Sequence, residues 1–169
     1  MTASMKKLWY ILQLALYACL CVFAHLVIIT LLPYPFYALN VALALIMLYI
    51  IRTERGGVVW MSFLVGILFD LYATTPFGLY SFCFTFASLL IYWLYTEIFT
   101  AQSLWAILLL AFVGATIFRI LYLSTDWIFR DILWSDVLVY SATDIVQTSI
   151  FTIMLYGILG VYKYKRPLQ

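Results

Sequence analysis

Six apolar runs, each closed by a short polar or proline-containing break, organise this chain. They cover residues 8–32, 36–51, 58–72, 78–96, 104–124 and 137–162. A helix needs about 20 predominantly apolar residues to cross ~30 Å of hydrocarbon, so each run predicts a membrane helix. Pro33-Tyr34-Pro35 ends the first, because proline lacks a backbone donor and restricts the residue before it. The polar turns Arg52–Gly57 and Thr74–Gly78 punctuate the next runs. Runs two and three are short; they extend into the headgroups or lie partly buried in protein. A four-span chain with that pair re-entrant is the alternative count.

Composition agrees with lipid as the solvent. Of 169 residues, 67% are hydrophobic and only 9% charged, against roughly 25% charged in a soluble domain. The net charge of +2, with no dense Lys/Arg tract, gives no reason to expect nucleic acid as a partner. Cys19, Cys21 and Cys83 all sit in apolar stretches, a pattern of neither a disulfide framework nor a metal site. Lys6 and Lys7 precede an apolar run far longer than the roughly 7–15 residues of a signal-peptide core. A retained first helix is expected. The fold class is therefore all-α, a polytopic bundle of about six transmembrane helices in one domain over residues 1–169.

Loop charges orient the bundle. With the N-terminus inside, the inner side holds Lys6, Lys7, Arg52, Arg55, Lys163, Lys165 and Arg166, and the outer loops only Arg130. This asymmetry predicts both termini on the cytoplasmic side. Trp9, Trp60, Trp93 and Trp105 fall near inner ends, and Tyr34, Tyr80, Tyr122 and Tyr140 near outer ends, as interfacial aromatic girdles do. The outer segment 125–136 mixes Trp127, Phe129 and Trp134 with Asp126, Arg130 and Asp131. It reads as an amphipathic helix lying at the interface. Either it closes a hairpin against lipid, or Trp127, Phe129 and Trp134 form a partner surface.

No constellation for catalysis stands out. His25 is the one histidine, no nucleophile elbow accompanies it, and neither a Walker loop nor an HExxH motif is present. We expect no enzyme activity, cofactor or metal. What remains is an intramembrane set of polar residues: His25, Asn40, Asp70, Arg119, Asp144 and Gln147. Charged groups at mid-helix cost at least ~2.5–3.5 kcal/mol each on the insertion scale, so they are usually paired. At ~1.5 Å per residue, His25, Arg119 and Asp144 lie about 8–10 Å below the outer ends, and Asn40 and Asp70 about 3–6 Å. Ser62, Gly66 and Asp70 share one helical stripe, and Ala111, Ala115 and Arg119 another. Small residues four apart let membrane helices approach closely, so both charges should point inward. Asp144, Gln147 and Thr148 should form a polar face of the sixth helix. Two readings stay open: an Asp70–Arg119–Asp144 ion-pair network that fixes helix order, or an outward pocket for a ligand or partner. His25 reads as a hydrogen-bonded interior residue rather than a proton relay.

One further pattern runs from Leu32 to Tyr95. A proline in the first outer turn precedes an apolar helix and a basic inner turn. Gly66-Ile67-Leu68-Phe69-Asp70 and Pro76-Phe77-Gly78 then follow. This resembles the bacterial rod-shape-determining membrane protein family MreD, with a Gly-x-x-x-Asp pattern closing one helix and a Pro-x-Gly turn opening the next. The resemblance implies a non-catalytic component of the peptidoglycan-elongation machinery in the bacterial cytoplasmic (inner) membrane. Its partners there would be MreC, MreB filaments and the glycosyltransferase–transpeptidase pair, with Gly66, Asp70, Pro76 and Gly78 as structural positions. The runner-up is the substrate-binding membrane subunit of an energy-coupling-factor vitamin transporter, which the polar layer would suit. Membrane lipid is a partner under either reading.

Overall fold

In lipid no water is at hand for backbone N–H and C=O groups, so an apolar run closes its hydrogen bonds internally as a helix. Each of the six runs does so in the computed structural model, which describes residues 3–32, 36–53, 57–98, 104–129 and 134–159. The helices are α1 (Ala3–Leu31), α2 (Val41–Thr53), α3 (Gly57–Asp70), α4 (Leu79–Glu97), α5 (Leu104–Phe129) and α6 (Trp134–Ile158), with a 3-10 turn at Phe36–Ala38 before α2. Four of them, α1, α4, α5 and α6, are long and apolar enough to cross a membrane. The chain is a multi-pass, all-helical membrane protein. Helices α2 and α3 have only 13 and 14 residues, about 20 Å each at ~1.5 Å per residue.

The short α2 is the centre of the bundle. It touches all five other helices, while α1, α3, α4, α5 and α6 follow one another in an arc around it. Val41, Ala42, Ala44, Ile46 and Ile50 have no exposed surface. The long helices instead turn large apolar side chains outward, among them Leu16 and Phe23 on α1 and Ile150 on α6. Such exposure suits a chain whose outer solvent is lipid.

Several boundaries differ from the sequence reading, each for a local reason. The second run becomes helical only at Val41, because Asn40 is its N-cap: the Leu43 N–H donates to Asn40 Oδ1 at 3.0 Å. Asn40 is thus a helix-end residue rather than a polar group inside a helix. The third helix stops at Asp70, with Leu71 and Tyr72 in the turn that follows. Segment 125–136 contains no separate interfacial helix among the described residues. Residues 125–129 continue α5, residues 134–136 open α6, and 130–133 lie outside the described residues. The reason is visible at Ser124, whose hydroxyl donates to the Leu121 carbonyl one turn back. It is satisfied on its own helix instead of capping a new one. The side chains of Trp127, Phe129 and Trp134, and the basic residues at 163–166, fall outside the description.

Candidate functional site

Two polar assemblies lie toward one end of the bundle. The first joins α3 to α4. Gly78, the N-cap of α4, has φ 97° and offers no side chain to cap the helix. The N–H groups of Tyr80 and Ser81 would be orphaned, but both donate to the Asp70 carboxylate, at 2.9 and 3.0 Å, and the Ser81 hydroxyl donates to it as well. A carboxylate at a helix N-terminus also meets the positive end of the helix dipole. Asp70 reaches α4 because Gly66, one turn earlier, lets the backbones touch. A Cβ there would lie 2.7 Å from the Ser81 nitrogen and 2.8 Å from the Tyr80 oxygen, and would meet Ser81 Cα more closely still. Pro76 accepts from the Leu79 N–H at 3.3 Å, which tightens the turn. Gly66, Asp70, Pro76 and Gly78 therefore build one joint.

The expected Asp70–Arg119–Asp144 network needs correcting here. Asp70 spends both carboxylate oxygens on α4, and the ion pair among the described residues is Arg119–Asp144, with Nη1 3.7 Å from Oδ2. A cap supplied from the preceding helix leaves no mark near the N-terminus it serves, so spacing could not assign this carboxylate.

The second assembly runs across α2, α6 and α5. The Asn40 N–H donates to Thr148 Oγ1 and the Thr148 hydroxyl to Asp144 Oδ1, each at 3.0 Å. Asp144 faces Arg119, whose Nε donates to Ser141 Oγ at 2.9 Å; the Ser141 hydroxyl donates onward to the Val137 carbonyl. The Arg119 guanidinium lies over the rings of Tyr140 and Tyr122, 4.7 and 5.5 Å from their centroids, where cation–π attraction adds to the ion pair. The buried polar stripe of α6 is Ser141, Asp144, Thr148 and Thr152. Gln147 is only half-buried and belongs neither to this stripe nor to the cavity wall. Spacing of three and four residues marks this stripe in the sequence. Thr148 was expected on this face, whereas Ser141 and Thr152 were not, because Ser and Thr so often bond back to their own helix, as both do here.

Beside this chain lies a cavity of about 320 Å³ lined by α1, α3, α4, α5 and α6 and by the segment Ala38–Asn40 that leads into α2. The C-terminal halves of α1, α3 and α5 meet the N-terminal ends of α2, α4 and α6 there, so consecutive helices alternate in direction. His25 lines it, edge-on to Phe69 with ring centroids 4.8 Å apart. Its Nδ1 is buried without a hydrogen-bond partner, at a cost of roughly 1–3 kcal/mol for such a group. The expectation of a hydrogen-bonded interior histidine is thus not met at Nδ1. Tyr80, Tyr122 and Tyr140, expected in the interfacial girdle, are cavity walls. Among the described residues no cluster of three or more His, Cys, Asp or Glu is placed to hold a metal ion. Comparison with protein-family models, with curated proteins and with solved structures finds no match to this chain.

Proposed function

We propose that this chain is a non-catalytic membrane scaffold of the MreD kind, serving the machinery that elongates peptidoglycan in a rod-shaped bacterium. The observation that carries the reading is the α3–α4 joint. The four residues of the resemblance, scattered over thirteen positions, converge on one contact in which each has a separate mechanical task. A motif spent on helix geometry suits a protein that presents surfaces rather than one that turns over substrate. In this reading all six helices cross the bacterial cytoplasmic membrane, both chain ends face the cytoplasm, and the junction of α5 and α6, with Trp127, Phe129 and Trp134, meets an MreC-like partner outside. MreB filaments, the glycosyltransferase and the transpeptidase complete the assembly.

Depletion from a rod-shaped host tests it: cells should round up and lyse, and an MreC-like protein should co-purify with the tagged chain. Changing Trp127, Phe129 and Trp134 together to Ser should weaken that co-purification while insertion is unaffected. Normal cell shape after depletion would sink the scaffold reading. The second reading, a substrate-binding subunit of a vitamin transporter, is favoured by the cavity. It would gain if depletion produced a specific vitamin requirement with shape intact.

A further inference from the structure

The cavity exists because the central helix starts late. Asn40, the cap of α2, is bonded to Thr148, about 16 Å along α6 from the start of its apolar span at ~1.5 Å per residue. Among the described residues only the 3-10 turn Phe36–Ala38 and Leu39 lead into α2 above that level. Ala38, Leu39 and Asn40 therefore line the cavity at the N-terminal end of α2, which carries the positive end of a helix dipole.

Three polar groups here have hydrogen-bonding capacity left over. Arg119 makes one hydrogen bond among the described residues, through Nε; its terminal nitrogens have only the 3.7 Å approach to Asp144. That distance exceeds a hydrogen bond. Asn40 uses its side-chain oxygen for the cap, so its amide NH₂ stays available. His25 Nδ1 is buried and unpartnered. Asp144 supplies a negative charge beside the positive one. An acid group would gain Arg119, the Asn40 amide and the α2 terminus. Taken alone it would also meet the Asp144 charge. A ligand that carries its own ammonium next to the acid removes that repulsion and satisfies Asp144. The remaining walls, Phe69, Phe84, Phe118 and the tyrosines, ask for an apolar body.

We propose that this cavity binds a compact zwitterion, its acid group toward Arg119 and Asn40 and its ammonium toward Asp144. At about 320 Å³ the space is at the small end of ligand pockets. Two sources offer this chemistry: a phosphoethanolamine lipid headgroup, or a free amino acid with an apolar side chain. The inference goes beyond the scaffold reading and does not depend on it, because binding is read on purified protein and cell shape is not.

The full chain is placed in nanodiscs containing equal phosphatidylethanolamine and phosphatidylglycerol, and retained lipid is counted by native mass spectrometry. L-phenylalanine is separately titrated in a thermal-unfolding assay in detergent. A headgroup site should retain one phosphatidylethanolamine per chain, about tenfold over phosphatidylglycerol, a difference of about 1.4 kcal/mol. An amino-acid site should instead raise Tm by several degrees with L-phenylalanine and leave Tm unchanged with phenylacetate or phenethylamine, which each carry one of the two charges. Ala38→Leu fills the cavity without touching the charges and should abolish either signal at unchanged unliganded Tm. Should that variant express poorly, Arg119→Lys, which keeps the charge and loses the planar fork, should weaken binding about tenfold, again about 1.4 kcal/mol. Equal retention of both lipids together with no Tm shift from L-phenylalanine, or signals that survive both substitutions, would each overturn the proposal.

Discussion

Removing the Asp70 carboxylate would leave the Tyr80 and Ser81 N–H groups buried without acceptors, at roughly 1–3 kcal/mol each. Asp70→Ala should therefore destabilise the protein by about 3 kcal/mol, and Asp70→Asn by about half of that, since a neutral acceptor is weaker than a charged one. Gly66→Ala should cost about as much, because the added methyl meets Ser81 backbone that cannot step aside. The pair should be strongly non-additive, as both break the same joint. Arg119→Gln and Asp144→Asn should also be coupled, since removing one partner of a buried ion pair strands the other, at roughly 3–5 kcal/mol in soluble cores. Asp70→Asn combined with Arg119→Gln should be additive within about 0.5 kcal/mol, the two sharing no hydrogen-bond partner. Thermal or denaturant unfolding of single and double variants in micelles measures all of these; coupling between Asp70 and Arg119 would restore the three-member network. That both side chains face inward was legible from Ser62, Gly66, Ala111 and Ala115, because small residues at helical spacing mark a close seam. Which partner each finds was not. That depends on how neighbouring helices are rotated and on a helix start that lacks its own cap.

At the level of elements, length and environment part company. Helix α2 is among the shortest and the most enclosed, whereas α1 is the longest and largely exposed. Ile46→Ala should cost about 2–4 kcal/mol, because a cavity opens in a packed centre where the side chain has no exposed surface. Leu16→Ala on α1 should cost less than about 1 kcal/mol, since the lost contacts are with lipid, which replaces them. Unfolding midpoints in micelles separate the two, and equal losses would mean that α2 is not the enclosed helix. The existence of all six helices was legible in the apolar runs. Their ends were less so where a polar residue has two possible uses. Asn40 looked like a residue within a helix and is a cap. Ser124 closed the fifth apolar run, yet it bonds back to its own helix, which continues to Phe129.

For the whole molecule, the question is whether the short α2–α3 pair crosses with the others or turns back within the membrane. Both arrangements put the two chain ends on one side, so the positions of the ends do not discriminate; the turn at 54–56 does. Two contacts bear on its level. The Tyr95 hydroxyl, two residues from the end of full-length α4, donates to the Ile51 carbonyl at 3.4 Å. Tyr10, near the start of the α1 span, packs against Gly57 at the start of α3. The lower ends of α2 and α3 are therefore level with the ends of full-length spans. A re-entrant pair would in addition hold Arg52, Glu54 and Arg55 inside hydrocarbon, at ~2.5–3.5 kcal/mol for each charge near the centre on the insertion scale. Helices of about 20 Å can cross ~30 Å when protein encloses one of them and the missing length is made up by the turn at one end and the cavity at the other. With the native cysteines replaced, a single cysteine at Glu54 should react with a membrane-impermeant maleimide in inside-out vesicles and stay unlabelled in intact spheroplasts. One at Ile132 should show the opposite pattern. A cysteine at Glu54 protected in both preparations, with Ile132 still labelled from outside, would establish four crossings and a re-entrant pair.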